Sequence, residues 1–162
     1  MSTAYEFTER SELDTAVNLW ISNEASAKET YGEINDWDVT KINDFSDLFL
    51  NKTTFDSDIG NWDVSSGTSF KNMFGDASSF NQDIGEWDVS SVINFREIFD
   101  DASSFNQDIG NWDVSSGTSF VKFFSNAGTF NQDISAWKVD ADDKITDMFY
   151  GATKMIDEGW AT

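Results

Sequence analysis

The side chains with the most capacity for chemistry are carboxylates. Thirty Asp and Glu stand against ten Lys and Arg in 162 residues, a formal charge of −20. One set recurs at a step of 25 residues: Asp38, Asp63, Asp88 and Asp113, ended by Lys138. Each lies among alternate polar positions, in Asp36-x-Asp38-x-Thr40, Asn61-x-Asp63-x-Ser65, Glu86-x-Asp88-x-Ser90, Asn111-x-Asp113-x-Ser115 and Ala136-x-Lys138-x-Asp140. Like charges stacked at the roughly 4.8 Å spacing of neighbouring strands repel unless something offsets them. Three offsets are open. Cations can bind between the carboxylates, as oxygen-rich Ca²⁺ sites do, with Asp63, Asp88 and Asp113 as the candidate metal ligands. The carboxylates can accept hydrogen bonds from backbone amides and Ser/Thr hydroxyls and so cap the following turn. A basic partner can also sit on the face. The candidates for a ligand face are therefore Asp38, Asp63, Asp88, Asp113 and Lys138, flanked by Asn61, Glu86, Asn111, Ser65, Ser90 and Ser115.

A second acidic column, Asp58, Asp83, Asp108 and Asp133, falls in turn-like sequence beside Asn81, Asn106 and Asn131, where Asn and Asp satisfy turn backbone. Neither column has the spacing of an EF-hand or of the Gly-rich calcium-binding nonapeptide. The hydroxyl pairs Ser65-Ser66, Ser90-Ser91 and Ser115-Ser116 make rows, but rows interleaved with charge.

Catalysis is not expected. The chain has no His and no Cys, which removes the commonest general base, the usual zinc ligands and thiolate chemistry. Repetition makes every carboxylate pair equivalent, whereas acid–base catalysis needs environments that split pKa values. There is no phosphate-binding loop and no nucleophile elbow. A nucleic-acid ligand needs a basic face that this composition lacks, and an anionic membrane surface is disfavoured for the same reason. No run is long and apolar enough to span a bilayer, and Met1–Glu6 has neither the basic nor the apolar region of a signal peptide.

The elements that must position these residues come from a repeat. Trp37, Trp62, Trp87, Trp112 and Trp137 recur every 25 residues without a slip. Ile34, Ile59, Ile84, Ile109 and Ile134 keep the same step, as do Val39, Val64, Val89, Val114 and Val139. So do Phe49, Phe74, Phe99, Phe124 and Phe149, and the columns that start at Phe45 and Phe55. Ile-x-x-Trp-x-Val resembles the Leu-x-x-Leu-x-Leu strand of leucine-rich repeats. Phe95, Ile98, Phe99 and Ala102, at i, i+3, i+4 and i+7, predict a two-turn helix. The expected fold is an α/β repeat solenoid, leucine-rich-repeat-like, with short parallel strands on one face and short helices on the other. Ser11 and Asp14 read as a capping box that opens a cap helix over residues 12–23, with Leu13, Ala16, Val17, Trp20 and Ile21 as its apolar face. The chain reads as one domain: cap and lead-in over 1–33, five repeats over 34–154, and a degenerate closing turn over 155–162. Apolar residues near Met148, Phe149 and Trp160 leave end-to-end self-association open.

The stretch Phe80-Asn81-Gln82-Asp83-Ile84-Gly85-Glu86-Trp87-Asp88-Val89-Ser90-Ser91 resembles the 25-residue repeat of the BspA-like, leucine-rich-repeat-like surface proteins first noted in mycoplasmas. The lead-in from Leu13 to Ile21 and from Tyr31 to Val39 is similar too, so the resemblance covers nearly the whole chain. It implies a surface-exposed, often adhesive module, and no catalytic residue carries over. Gly67 and Gly117 stand where the family often has Val, which Val92 keeps, and they predict a looser corner in those units. The expected function is a non-catalytic interaction or adhesion module of a cell-surface or extracellular protein, with an unidentified protein or glycan ligand on the polar face. The alternative is an acidic calcium-binding repeat that stiffens a larger extracellular array. A cytoplasmic scaffold is a third reading.

Overall fold

The structure, a computed structural model, describes residues 4–139 and 144–157. Met1, Asp140 and Trp160, named above, lie outside the described residues, as does most of the closing turn over 155–162. Four elements are regular: α1 (Arg10–Ser22), α2 (Glu24–Tyr31), a 3₁₀ turn (Ile34–Asp36) and α3 (Thr153–Asp157). Among the described residues between Trp37 and Ala152, the chain is turns, irregular backbone and single bridges.

α1 forms because Leu13, Ala16, Val17 and Trp20 fall on one face and all are buried, with Ile21 packed at the edge. It starts earlier than the capping box predicts. Glu9 holds the cap position without a side-chain cap bond, and Ser11 lies inside the helix. Asp14 pairs instead with Arg10 at 2.8 Å, and the same guanidinium reaches the carbonyls of Asp44 and Ser46 at 2.9 and 2.7 Å. That bridge fixes the first turn at Arg10. Asn23 ends α1 and caps α2, its Oδ1 accepting the Ser26 amide at 3.2 Å. The sequence reading placed no helix at α2.

The α/β solenoid of strands and helices does not form. The Ile-x-x-Trp-x-Val stretch is not a strand: Ile84–Trp87 is a tight turn, the Trp87 amide donating to the Ile84 carbonyl at 3.2 Å. No backbone ladder joins the Trp-x-Val stretches of neighbouring units, although their side chains do alternate between buried and exposed. The predicted helix over Phe95–Ala102 is a ribbon of overlapping turns. Ile98 donates to Phe95, Asp100 to Glu97 and Ala102 to Phe99. The intervening amides point along the stack: Phe95 to Ser119, Glu97 to Val121, Phe99 to Phe123 and Asp101 to Ser125, at 2.8–3.0 Å. The other units repeat this bonding, with parallel bridges at Asp44, Ser69, Asn94, Ser119 and Lys144.

Spacing decides against the helix. Phe49, Phe74, Phe99 and Phe124 stack with ring centroids 5.4, 5.6 and 6.0 Å apart. Packed helices need roughly 8–10 Å between axes, so units at this step have no room for one. The ribbon needs a positive φ every fourth residue, and it finds Asp47 and Asn51, Asn72 and Asp76, Glu97 and Asp101, and Lys122 and Asn126 there, with φ of 53–61°. Asn and Asp tolerate that region best, so most of these positions suit the turn.

The core is aromatic. Phe49, Phe74, Phe99 and Phe124 each face a ring of their own unit (Phe55, Phe80, Phe105, Phe130) at 3.9–4.1 Å, and those partners stack from unit to unit as well. Each Trp ties its unit to the previous one. Nε1 of Trp62, Trp87, Trp112 and Trp137 donates to the carbonyl of Ile34, Ile59, Ile84 and Ile109, at 2.7–3.3 Å. The Gly67 and Gly117 corners are not loose. A Cβ at Gly67 would meet the Phe70 ring at 2.7 Å, and one at Gly117 the Phe120 ring at 2.5 Å. The ring three residues on takes the space that Val92 fills in its own unit.

Candidate functional site

The polar grid lies on the outside of this stack. Asn61, Asp63, Glu86, Asp88, Asn111, Asp113 and Lys138 are exposed, while Asp38, Ser65 and Ser90 are half-buried and Ser115 is exposed. Each Asp closes a small turn of its own. Oδ1 of Asp63 accepts the Ser65 amide at 3.1 Å and its hydroxyl at 2.6 Å; Asp88 does the same with Ser90, at 3.0 and 2.6 Å. Asp38 holds Thr40 likewise, and Asp113 accepts the Ser115 amide at 3.1 Å. In the first four units one carboxylate oxygen is thus committed to the backbone, and the side chains of Asp63, Asp88 and Asp113 stay exposed.

These bonds favour the charged form. The Thr40 hydroxyl and amide hold the Asp38 carboxyl below the usual range, and Ser90 does the same for Asp88. Asp113 is lowered by hydrogen bonding from Ser115, with a smaller pull from Lys138. Groups of this kind stabilise the fold above the unfolded carboxylate range, near pH 3.9, and lose that contribution as pH falls through their folded values.

The second acidic column caps the Ile-x-x-Trp turn. Oδ1 of Asp58, Asp83, Asp108 and Asp133 accepts the amide two residues on, at 2.9–3.0 Å. Beside it runs an amide ladder that crosses units. Asn81 Oδ1 accepts the Asn106 amide and Asn106 Oδ1 the Asn131 amide, at 2.9 and 2.8 Å, and Asp56 begins the row by accepting the Asn81 amide and Gln82 Nε2. Among the described residues no three carboxylates converge as metal ligands, Asp63, Asp88 and Asp113 included.

Two features escaped the sequence reading. A depression of about 980 Å³ opens on the N-terminal cap, lined in part by Tyr5, Tyr31, Lys28, Glu33, Asp36 and Asn61. Its lysine is already engaged by Glu24 at 2.8 Å and Glu33 at 3.0 Å. The second is Asp100, in the column Leu50, Gly75, Asp100, Ser125 and Tyr150. A carboxylate in a column that is otherwise uncharged was the available signal. Its Oδ1 is buried without a hydrogen-bond partner, and burial pushes its pKa up, against smaller pulls from Ser125 and from Lys122 at 3.6 Å. With a raised folded value, Asp100 works against the fold once pH exceeds the unfolded carboxylate range, opposite in sign to Asp38, Asp88 and Asp113.

No helix among the described residues is long and apolar enough to cross a membrane. No curated protein and no solved structure matches the chain. One family does, "Mycoplasma protein of unknown function, DUF285", in two overlapping matches over residues 18–117 and 87–160. In general terms this is the mycoplasma repeat family that the 25-residue unit resembles. With all five repeats inside the two matches, the chain belongs to the DUF285 family.

Proposed function

We propose that this chain is a non-catalytic interaction module of a cell-surface or extracellular protein, which binds a protein or glycan ligand through the exposed polar face of its repeats. One observation carries the reading: Asp63, Asp88 and Asp113 each commit Oδ1 to their own turn, which holds the carboxylate fixed and repeats its outward oxygen from unit to unit. A fixed polar row costs less to order on binding than mobile side chains do. With a formal charge of −20, the face suits a ligand with cationic groups, and association is steered by charge. The resemblance to surface proteins supports the location.

The triple variant Asp63→Asn, Asp88→Asn, Asp113→Asn tests this. Asn keeps the amide-accepting oxygen of the cap and removes the charge. Retention of extracellular proteins and glycans on immobilised wild-type and variant chains is compared. Ligands retained by the wild type should bind the variant at least about tenfold more weakly, with the variant still folded at the assay temperature. Equal retention by both chains, or retention of no probe by the wild type, contradicts the reading.

A further inference from the structure

The two ends of the stack are chemically different. The first four units donate amides toward the C-terminal side, and each following unit offers its carbonyls toward the N-terminal side, as in the bonds from Phe70, Asn72, Phe74 and Asp76 to Asn94, Arg96, Ile98 and Asp100. The first unit has no repeat before it to fill its carbonyls at Asp44 and Ser46. Arg10 fills them, with Nη1 on Asp44 and Nη2 on Ser46. Those carbonyls match Ser69 and Lys71, which accept the amides of Phe45 and Asp47 in the next step of the stack. The guanidinium of α1 therefore stands in for two backbone donors of a preceding unit. α1 is pinned along the same edge by Lys52 to Asn18 at 2.6 Å and Trp20 to Ser57 at 2.9 Å.

The opposite edge has no such plug among the described residues. The Phe120, Lys122, Phe124 and Asn126 amides are accepted by Lys144, Thr146, Met148 and Tyr150. One step on, the amides of Ile145, Asp147, Phe149 and Gly151 have no acceptor among the described residues. Ile145 and Tyr150 flank this row and are 54% and 67% exposed. Unpaired donors on an edge are a template for another chain segment.

We propose that the edge formed by residues 144–152 is a docking surface for one further 25-residue unit of this repeat, seated in the register of the units before it. The occupant must present backbone carbonyls at alternate residues and a ring to lie on Phe149, as Phe149 lies on Phe124 at 5.9 Å. A second copy of the chain does not fit head to tail, because Arg10 and α1 already occupy its accepting edge.

Amide exchange followed by NMR tests the proposal on a chain in which residues 128–152 are duplicated after position 152. In the wild type, Ile145, Asp147, Phe149 and Gly151 should exchange fast. In the duplicated chain the first copies of these amides should slow to the rates of Phe120, Lys122, Phe124 and Asn126. If they stay fast while the other repeats exchange as before, the proposal is overturned. Should the duplicated chain give no folded spectrum, titration of the labelled wild type with a synthetic peptide of residues 84–118 decides. Shifts confined to those four amides support the proposal, and their absence overturns it. Concentration-dependent sedimentation of the wild type alone, with slowing at the same amides, would make a second copy the occupant and overturn it as well.

Discussion

Phe99→Ala is expected to lower the stability of the chain by about 3–5 kcal/mol, a large part of the roughly 5–15 kcal/mol available to a domain. Phe99 is fully buried at the middle of the stack. Its ring lies 5.6 Å from Phe74, 6.0 Å from Phe124, 3.9 Å from Phe105, 5.8 Å from Phe123 and 6.3 Å from Trp112, so removing it opens a void that five rings share. Those rings are held by backbone bonds to units on both sides and cannot close in. Urea denaturation of wild type and variant gives the difference directly. A loss of under about 1 kcal/mol would mean that the units yield independently, against the single stacked core described above.

Gly110→Ala should cost about 1–3 kcal/mol even though it adds only a methyl group. The glycines at 60, 85 and 110 sit where the next unit passes closest: a Cβ at Gly60 would meet the Asp83 carbonyl oxygen at 2.7 Å, and one at Gly85 the Asp108 oxygen at 2.5 Å. At Gly110 the obstacle is the Asp133 carbonyl oxygen, which is backbone and cannot swing aside. The glycine is needed here for close approach of two neighbouring units rather than for its backbone angles. Ser135 occupies the equivalent place in the following unit. Gly110→Ala and Ser135→Ala compared by thermal melt should therefore differ, the first lowering the melting temperature and the second leaving it nearly unchanged. Equal effects would contradict the close-approach argument.

Much of this arrangement was legible in the sequence. The 25-residue columns of Trp, Ile, Val and Phe are buried through the first four units and partly buried at Ile134, Trp137, Val139 and Phe149 in the fifth, and the Asp-x-Ser pairs at 63, 88 and 113 face outward as turn caps. What could not be read was how the backbone bonds. Phe95, Ile98, Phe99 and Ala102 face inward in a helix and equally in a ribbon of turns with a period near four, so the apolar stripe does not separate the two. The separating signal lay in other residues. Asn72 and Asp76, or Asp47 and Asn51, fall four apart at positions that require positive φ, and a helix interior disfavours both residue types. Likewise, alternation in Trp87-Asp88-Val89 suggests a strand, but alternate burial does not require a ladder. Here the indole Nε1, rather than a backbone amide, makes the bond to the previous unit. Arg10 was missed because its partners are backbone carbonyls 34 and 36 residues away, which leave no mark on side-chain spacing. Asp100 was legible in principle, as the one acid of its column.

The polar face can present one carboxylate per unit only if the units are joined through the turn ribbon, and this is the central claim. Residue-resolved hydrogen exchange on the wild-type chain tests it most directly. Slow amides are predicted at alternate positions of the ribbon that donate along the stack, Phe70, Asn72, Phe74 and Asp76 in one unit and Phe95, Glu97, Phe99 and Asp101 in the next, with fast exchange at the exposed Asp88 and Asp113. A protected run through Trp87, Asp88 and Val89, with the ribbon amides exchanging fast, would show that the units pair as strands and would contradict the account.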